Sequence, residues 1–258
     1  MEQQYPILEF DPERDALINP RVAVTPVHET TCAVLCFFQD VITRLSQEHK
    51  ADVVTHFQSE IGRHPVYALT SQGRRLLIMH PGVGAPLAAG LLEDLIGLGC
   101  TTIVACGGAG TLDAALAAGH IVVPVAAVRD EGTSYHYLPP SREVEADPAG
   151  VSAAEDVLKR HGQDYVAGKT WTTDAFYRET PAKIRRRRDE GCIVVEMEAA
   201  AFFAVARFRA VRFAQLLYAG DDVSGSEWNA RDWTTHSIRD TLFWLAVEAC
   251  LELSAATT

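Results

Sequence analysis

Short apolar runs alternate with helical stretches along almost the whole chain, and that alternation restricts the fold more than any other feature. Runs rich in β-branched residues read as strands at residues 22–24, 66–69, 76–79, 102–106, 121–128, 166–171, 193–195 and 213–219. Apolar residues spaced for one helical face read as helices at 31–47, 86–98, 151–161, 181–190, 198–208 and 235–253. Ser71-Gln72-Gly73 joins two of the strands as a hairpin turn, and Gly99 stops the second helix. Strands that alternate with helices predict an α/β fold with a mixed or largely parallel central sheet. No internal repeat or low-complexity linker divides the chain, so residues 1–258 are expected to form a single domain.

Composition removes several classes of function. A net charge of -11 lacks the basic footprint of a general nucleic-acid binder. No segment reaches membrane-spanning length without charge. The N-terminal residues have neither a basic region nor a continuous apolar stretch, so a cytoplasmic location is expected. Cys32, Cys36, Cys100, Cys106, Cys192 and Cys250 are scattered with no CxxC and no Cys/His pairing. They read as buried free thiols, with no metal site expected.

The chemistry concentrates in a few places. Glu196 and Glu198 flank Met197 between the apolar run Cys192-Ile193-Val194-Val195 and an alanine-rich helix. Carboxylates set between apolar segments are costly unless something binds them. A vicinal diol of a sugar is a suitable partner, since one carboxylate accepts two hydrogen bonds; the dipole at a helix N-terminus would favour the same acids without any ligand. Gly82-Val83-Gly84 and Gly107-Gly108-Ala109-Gly110 read as two glycine-rich turns after apolar strands, able to bring backbone amides to an anion or simply to turn the chain. Asp221 and Asp222 follow a strand and a glycine, where a carboxylate can face a cleft or stabilise a turn. Arg185 to Arg188 read as a solvated helix face. Trp228, Trp233 and Trp244 fit either a pocket cap or a subunit interface.

Taken in order, these segments resemble the nucleoside phosphorylase/uridine phosphorylase superfamily. Val194 to Ala201 (VVEMEAAA) resembles its signature. His80 to Pro86 with the helix and strand that follow, Val128 to Ser134, and Thr173 to Tyr177 resemble further segments of it, over roughly residues 21–222. The resemblance implies a three-layer α/β/α sandwich around a partly barrel-like sheet, and cleavage of an N-glycosidic bond in a ribonucleoside. It implies that Glu198 grips the ribose hydroxyls, Met197 packs on the sugar, Glu196 lies near base or sugar, Phe176 stacks on the base and Asp221 acts as the acid toward it. It places phosphate, as co-substrate, at Gly82, Gly107 and Gly108 with Arg63, and requires no metal or organic cofactor. It further implies a homo-oligomer built from dimers, up to a hexamer, in which Arg63 crosses to the neighbouring subunit.

Departures from the pattern fall in the anion site. Ala105 and Gly108 stand where the family has an arginine and a serine or threonine, and residues 25–30 (TPVHET) replace its Gly-Asp-Pro loop. Thr180 and Ala182 stand where the uridine branch reads uracil with glutamine and arginine. Phosphorolysis to free base and ribose 1-phosphate is the expected reaction. Hydrolysis by water, with His28 or Glu29 as base, is the alternative, and non-catalytic nucleoside binding the third reading.

Overall fold

A computed structural model describes residues 3–20, 30–48, 50–232 and 238–256. The expected strand at 22–24, the loop holding His28 and Glu29, the start of the last helix and Trp233 lie outside the described residues. The described strands are β1 (Cys32–Cys36), β2 (Ala51–Ser59), β3 (Gly62–Ser71), β4 (Arg74–Met79), β5 (Thr102–Thr111), β6 (Ile121–Asp130), β7 (Glu143–Glu145), β8 (Tyr165–Thr173), β9 (Cys192–Glu196) and β10 (Arg212–Asp222). The helices are α1 (Gln39–Gln47), α2 (Ala85–Gly97), α3 (Pro148–Arg160), α4 (Pro181–Asp189), α5 (Ala199–Arg209) and α6 (Ile238–Ala255).

All ten strands belong to one mixed sheet in the order β10-β6-β8-β9-β5-β1-β4-β3-β2, with β7 on the outer side of β6. Because β10 also pairs with β5, the strands β5, β9, β8, β6 and β10 close into a five-stranded barrel. Parallel pairs (β5–β10, β6–β8, β8–β9) and antiparallel pairs (β5–β9, β6–β10) share that ring. Ala109, Val122, Val194, Leu217 and Ala219 join four of its strands in a small apolar cluster.

Helices cover both faces of the open part, which gives the expected three layers. Cys32, Val34 and Cys36 pack with α1, α3 and α6, whereas Ala33 and Leu35 pack with α2 and α5. Strand β1 is therefore buried on both sides, and its sequence is a continuous apolar run instead of an alternating one. For this reason the helix expected over 31–47 is wrong in its first part. The chain is a strand to Cys36 and becomes helical only at Gln39. Burial here is a large stabilising term: trimming one such residue, for example Leu35→Ala, costs about 2–5 kcal/mol.

A second correction concerns Gly107 to Gly110. They form no turn; β5 runs through them, with Gly107 to Ala109 paired to Leu217 to Ala219 of β10 and Gly110 to Val195 of β9. Their role is close packing. A Cβ on Gly107 would lie 3.0 Å from the Phe37 ring, one on Gly108 3.1 Å from the Tyr218 ring, and one on Gly110 3.0 Å from Val195. The other glycine segment is a true turn, with Gly82 at φ 76° and Gly84 at φ 91°. The Gln72-Gly73 hairpin turn and the Gly99 stop form as expected, each with positive φ. The cysteines are all free and buried.

Candidate active site

Strand β9 ends in Glu196 and α5 starts at Ala199, so the two glutamates occupy the strand-to-helix joint. Their environments differ. Glu196 accepts hydrogen bonds from Thr172 Oγ1 (2.6 Å), Thr170 Oγ1 (3.2 Å) and the backbone N–H groups of Glu198 (2.7 Å) and Ala199 (2.6 Å). It thus ties β8 to β9 and satisfies the first amides of α5. Burial raises its pKa, and these donors pull the other way. Four protein donors fill the acceptor capacity of one carboxylate, so the expectation that Glu196 lies near base or sugar is not what its contacts favour.

Glu198 is equally buried, 5% exposed, yet more sparsely bonded. Its Oε1 accepts from the Gly84 N–H at 2.6 Å, which sets it against the N-terminus of α2. Burial, and next the charge of Glu196, raise its pKa to about 8; the amides of Gly84 and Met197 oppose the shift and Asp174 adds to it. With Glu196 saturated by donors, the anion of this coupled pair rests on Glu196 and the proton on Glu198. Met197, between them, is partly exposed.

The next wall comes from the segment after β8. Asp174 Oδ2 accepts from the Gly132 N–H at 2.9 Å, pinning the segment's start. Phe176 opens a single 3-10 turn, is 51% exposed and stacks on Tyr177 with ring centroids 4.2 Å apart. Glu179 follows, half-buried beside Asp221 at the end of β10. Asp221 Oδ2 accepts from Trp228 Nε1 at 2.7 Å, so Trp228 caps an acid of this wall. Asp222 is used differently: it accepts from the Ser224 N–H (2.8 Å) and pairs with Arg231. Burial alone would raise its pKa, but Ser224 and Arg231 hold it below the ordinary range. Asp222 is thereby a loop anchor, and Asp221 remains the site candidate.

On the other side of the Gly82–Gly84 turn lies a cavity of about 430 Å³ lined by Arg63, His64, Tyr67, His80, Gly82 and Val83. The structure thus brings the sequence candidates Arg63 and Gly82 together. His80 is fully engaged: Nδ1 accepts from the Gly82 N–H at 3.0 Å and the ring also bonds the Phe37 backbone. Burial lowers its pKa, so it stays neutral and supplies no cation. Ala105 is fully buried among the residues that pack on α2 and α5.

Sequence reasoning missed three features. Glu179 carried no pattern of its own beside Thr180 and Ala182. The threonines of β8 look like ordinary strand residues until β9 is paired beside them. Arg187 departs from the solvated face expected of its run: it is buried, donates to Asp130 (3.0 Å) and Glu190 (3.1 Å), and lies over the Trp171 ring. Asp130 also accepts from Trp171 Nε1 at 3.0 Å. Arg129 is buried on Ser134 and the Pro139 carbonyl. Much of Val128 to Ser134 is therefore scaffold that holds the wall from behind.

Known proteins share this fold. A guanosine phosphorylase of Halorubrum lacusprofundi is 33% identical over 160 residues, which cover 60% of this chain and 65% of that relative. A uridine phosphorylase structure from Vibrio fischeri superposes with a TM-score of 0.75 at 22% identity, over 91% of this chain and 97% of that one. An AMP nucleosidase structure from Bacteroides thetaiotaomicron superposes with a TM-score of 0.70 at 20% identity, over 87% and 88% of the two chains. At those identities the two structures establish the fold. The sequence profile of the phosphorylase superfamily matches residues 31–249, and with the barrel, the Glu196–Glu198 joint and the Gly82–Gly84 turn in place, the chain belongs to the phosphorylase superfamily.

Proposed function

We propose that this protein cleaves the N-glycosidic bond of a ribonucleoside and transfers the ribosyl group to phosphate, giving free base and ribose 1-phosphate. The observation that carries this reading is Glu198: a buried carboxyl, pKa about 8, with acceptor capacity left beside the amides of Gly84 and Met197. The ribose 2′- and 3′-hydroxyls would supply the missing donors and favour its charged form. That charge would matter most as C1′ becomes cationic, so binding energy would appear in the transition state. Met197 packs on the sugar, Phe176 offers an exposed ring to the base, and Arg63 with the Gly82 turn receives phosphate. No metal or organic cofactor enters this scheme.

Hydrolysis is the second reading, and it has its own support. Among the described residues Arg63 is the one arginine lining the cavity at Gly82, His80 is neutral, and Gly108 has a tyrosine ring where a serine side chain would go. Assay of a nucleoside panel with and without phosphate separates the two. Ribose 1-phosphate formed only with phosphate supports transfer; free ribose released at full rate in phosphate-free buffer overturns it. Release of no base from any nucleoside would leave a binding protein.

The same proposal includes a dimer-based homo-oligomer. Arg63 is exposed near the β2–β3 tip, where Ile61 is 76% exposed, and Val83 of the same cavity is 64% exposed. Apolar residues so placed beside an unfinished anion site suit a partner subunit. A monomer by light scattering with full activity would contradict it.

A further inference from the structure

We infer that Glu179, not Asp221, donates the proton to the departing base, and that Asp221 is the fixed anion beside it. This assignment rests on the proposed cleavage of a ribonucleoside and narrows its substrate to purine ribonucleosides. Both residues lie on one wall, but their hydrogen bonds are opposite in kind.

Asp221 is held as an acceptor. The Trp228 indole N–H, which can only donate, sits 2.7 Å from Oδ2. Its other oxygen faces the β5 backbone, 3.4 Å from where a Cβ on Gly110 would stand. An oxygen that already receives the indole N–H is committed as an acceptor.

Glu179 is held in place but left free at its tip. Its N–H bonds the Phe176 carbonyl at 3.2 Å, and the next residue, Thr180, caps α4 through Oγ1 to the Lys183 N–H. The backbone is therefore clamped between a 3-10 turn and a helix start. The carboxyl is half-buried and has no hydrogen-bond partner among the described residues. Two titratable groups face it: Asp221 from β10 and Lys183 from α4. Lys183 is drawn to Asp130, 3.4 Å away. Burial, then the charge of Asp221, raise the Glu179 pKa to about 7 against the pull of Lys183. A half-buried carboxyl with no donor on it keeps its proton into the neutral range. Phe176, three residues earlier, would present the base to the same wall.

The step balances as follows. The C1′–N9 bond breaks and its electron pair passes to the purine. The Glu179 O–H proton moves to N7, so the base leaves neutral and Glu179 is left as a carboxylate. C1′ gains an oxygen of phosphate, or of water with release of that water's proton, and solvent reprotonates Glu179.

The test compares guanosine and inosine with 7-methylguanosine, whose base leaves without protonation because N7 is already alkylated. Glu179→Gln should lose ~10²–10⁴-fold in kcat on the first two, lose the basic limb of the pH profile, and keep near wild-type rates on 7-methylguanosine. Asp221→Asn should keep that limb and move it to lower pH. Equal losses of Glu179→Gln on all three substrates, or no loss, would overturn the assignment. So would the Glu179→Gln pattern appearing in Asp221→Asn instead. Carbon-13 NMR of glutamate-labelled wild-type protein guards against a misfolded variant. The carboxyl resonance missing in Glu179→Gln should titrate near neutrality, and titration in the ordinary carboxylate range would overturn the proposal. Wild-type protein that cleaves no purine nucleoside sinks the underlying reading; active wild type with an unaffected variant sinks this assignment alone.

Discussion

The wall built from β8, β9 and β10 and the cavity beside the β2–β3 hairpin lie on either side of one glycine turn, and they are made in contrasting ways. The wall carries Glu196, Glu198, Glu179 and Asp221, each partly or fully buried and each oriented by backbone, threonine or indole contacts. Among the described residues the cavity carries one exposed arginine and two histidines, of which His80 is neutral. Buried polar groups fix geometry because a misplaced one is costly, whereas an exposed guanidinium is held by little. The part of a reaction that depends on position is therefore expected at the wall. The part that depends on a second molecule, whether phosphate or a partner subunit, falls in the cavity.

Four substitutions break or sharpen that contrast. The largest effect belongs to Glu198→Gln, which should lower kcat on ribonucleosides by ~10²–10³-fold while the fold persists, a loss of about 2.7–4 kcal/mol of transition-state stabilisation. Unchanged turnover would remove Glu198 from the site. The same residue predicts a pH effect on stability. Its pKa is raised in the native state to about 8, so native protein binds more protons than unfolded protein between the ordinary glutamate value and that point. Stability is fully present below the unfolded pKa and falls as pH rises through about 8, and thermal melts of Glu198→Gln should lose that decline.

Next comes Glu196→Ala, which strands four donors. Each buried orphan costs about 1–3 kcal/mol, so a stability loss on the order of 3 kcal/mol or more should appear in denaturant melts. If it lowers turnover with the melt unchanged, Glu196 belongs to the substrate after all. On the cavity side, Arg63→Ala should raise the KM for phosphate with little change in stability, by the ~1.5–3 kcal/mol of a charge-assisted contact. No change, together with ribose as product, would hand the cavity to water. Smallest is Gly108→Ser, which must displace the Tyr218 ring from 3.1 Å and should cost on the order of 1 kcal/mol. Were it neutral in stability and helpful toward phosphate, the packing argument for a water-adapted site would fail.

Much of the architecture was legible because local pattern and tertiary role agree. The β3–β4 hairpin turn, the α2 stop at Gly99 and the succession of strands and helices follow from glycine conformations and apolar periodicity that each segment carries by itself. The segments that resemble the superfamily also carried the fold, since they supply or end strands of the barrel, β5 at Thr111, β6 at Asp130, β8 at Thr173 and β9 at Glu196. Residues 31–36 were misread for a physical reason. A strand buried on both faces loses its alternation, and a continuous apolar run has no period to declare.

The sequence by itself determined that this chain would bury a mixed sheet between two helical layers and set two glutamates at a strand-to-helix joint. Only the tertiary structure decided which of those acids is spent on the scaffold. The Thr170 and Thr172 hydroxyls that claim Glu196 come from a strand more than twenty residues away. The donor that fixes Asp221 comes from Trp228, and Glu179 is raised by its burial first and then by the charge of Asp221. A carboxyl's protonation follows from its burial and its neighbours' charges, and those are set when strands close into a barrel, not by the residues adjacent in the chain.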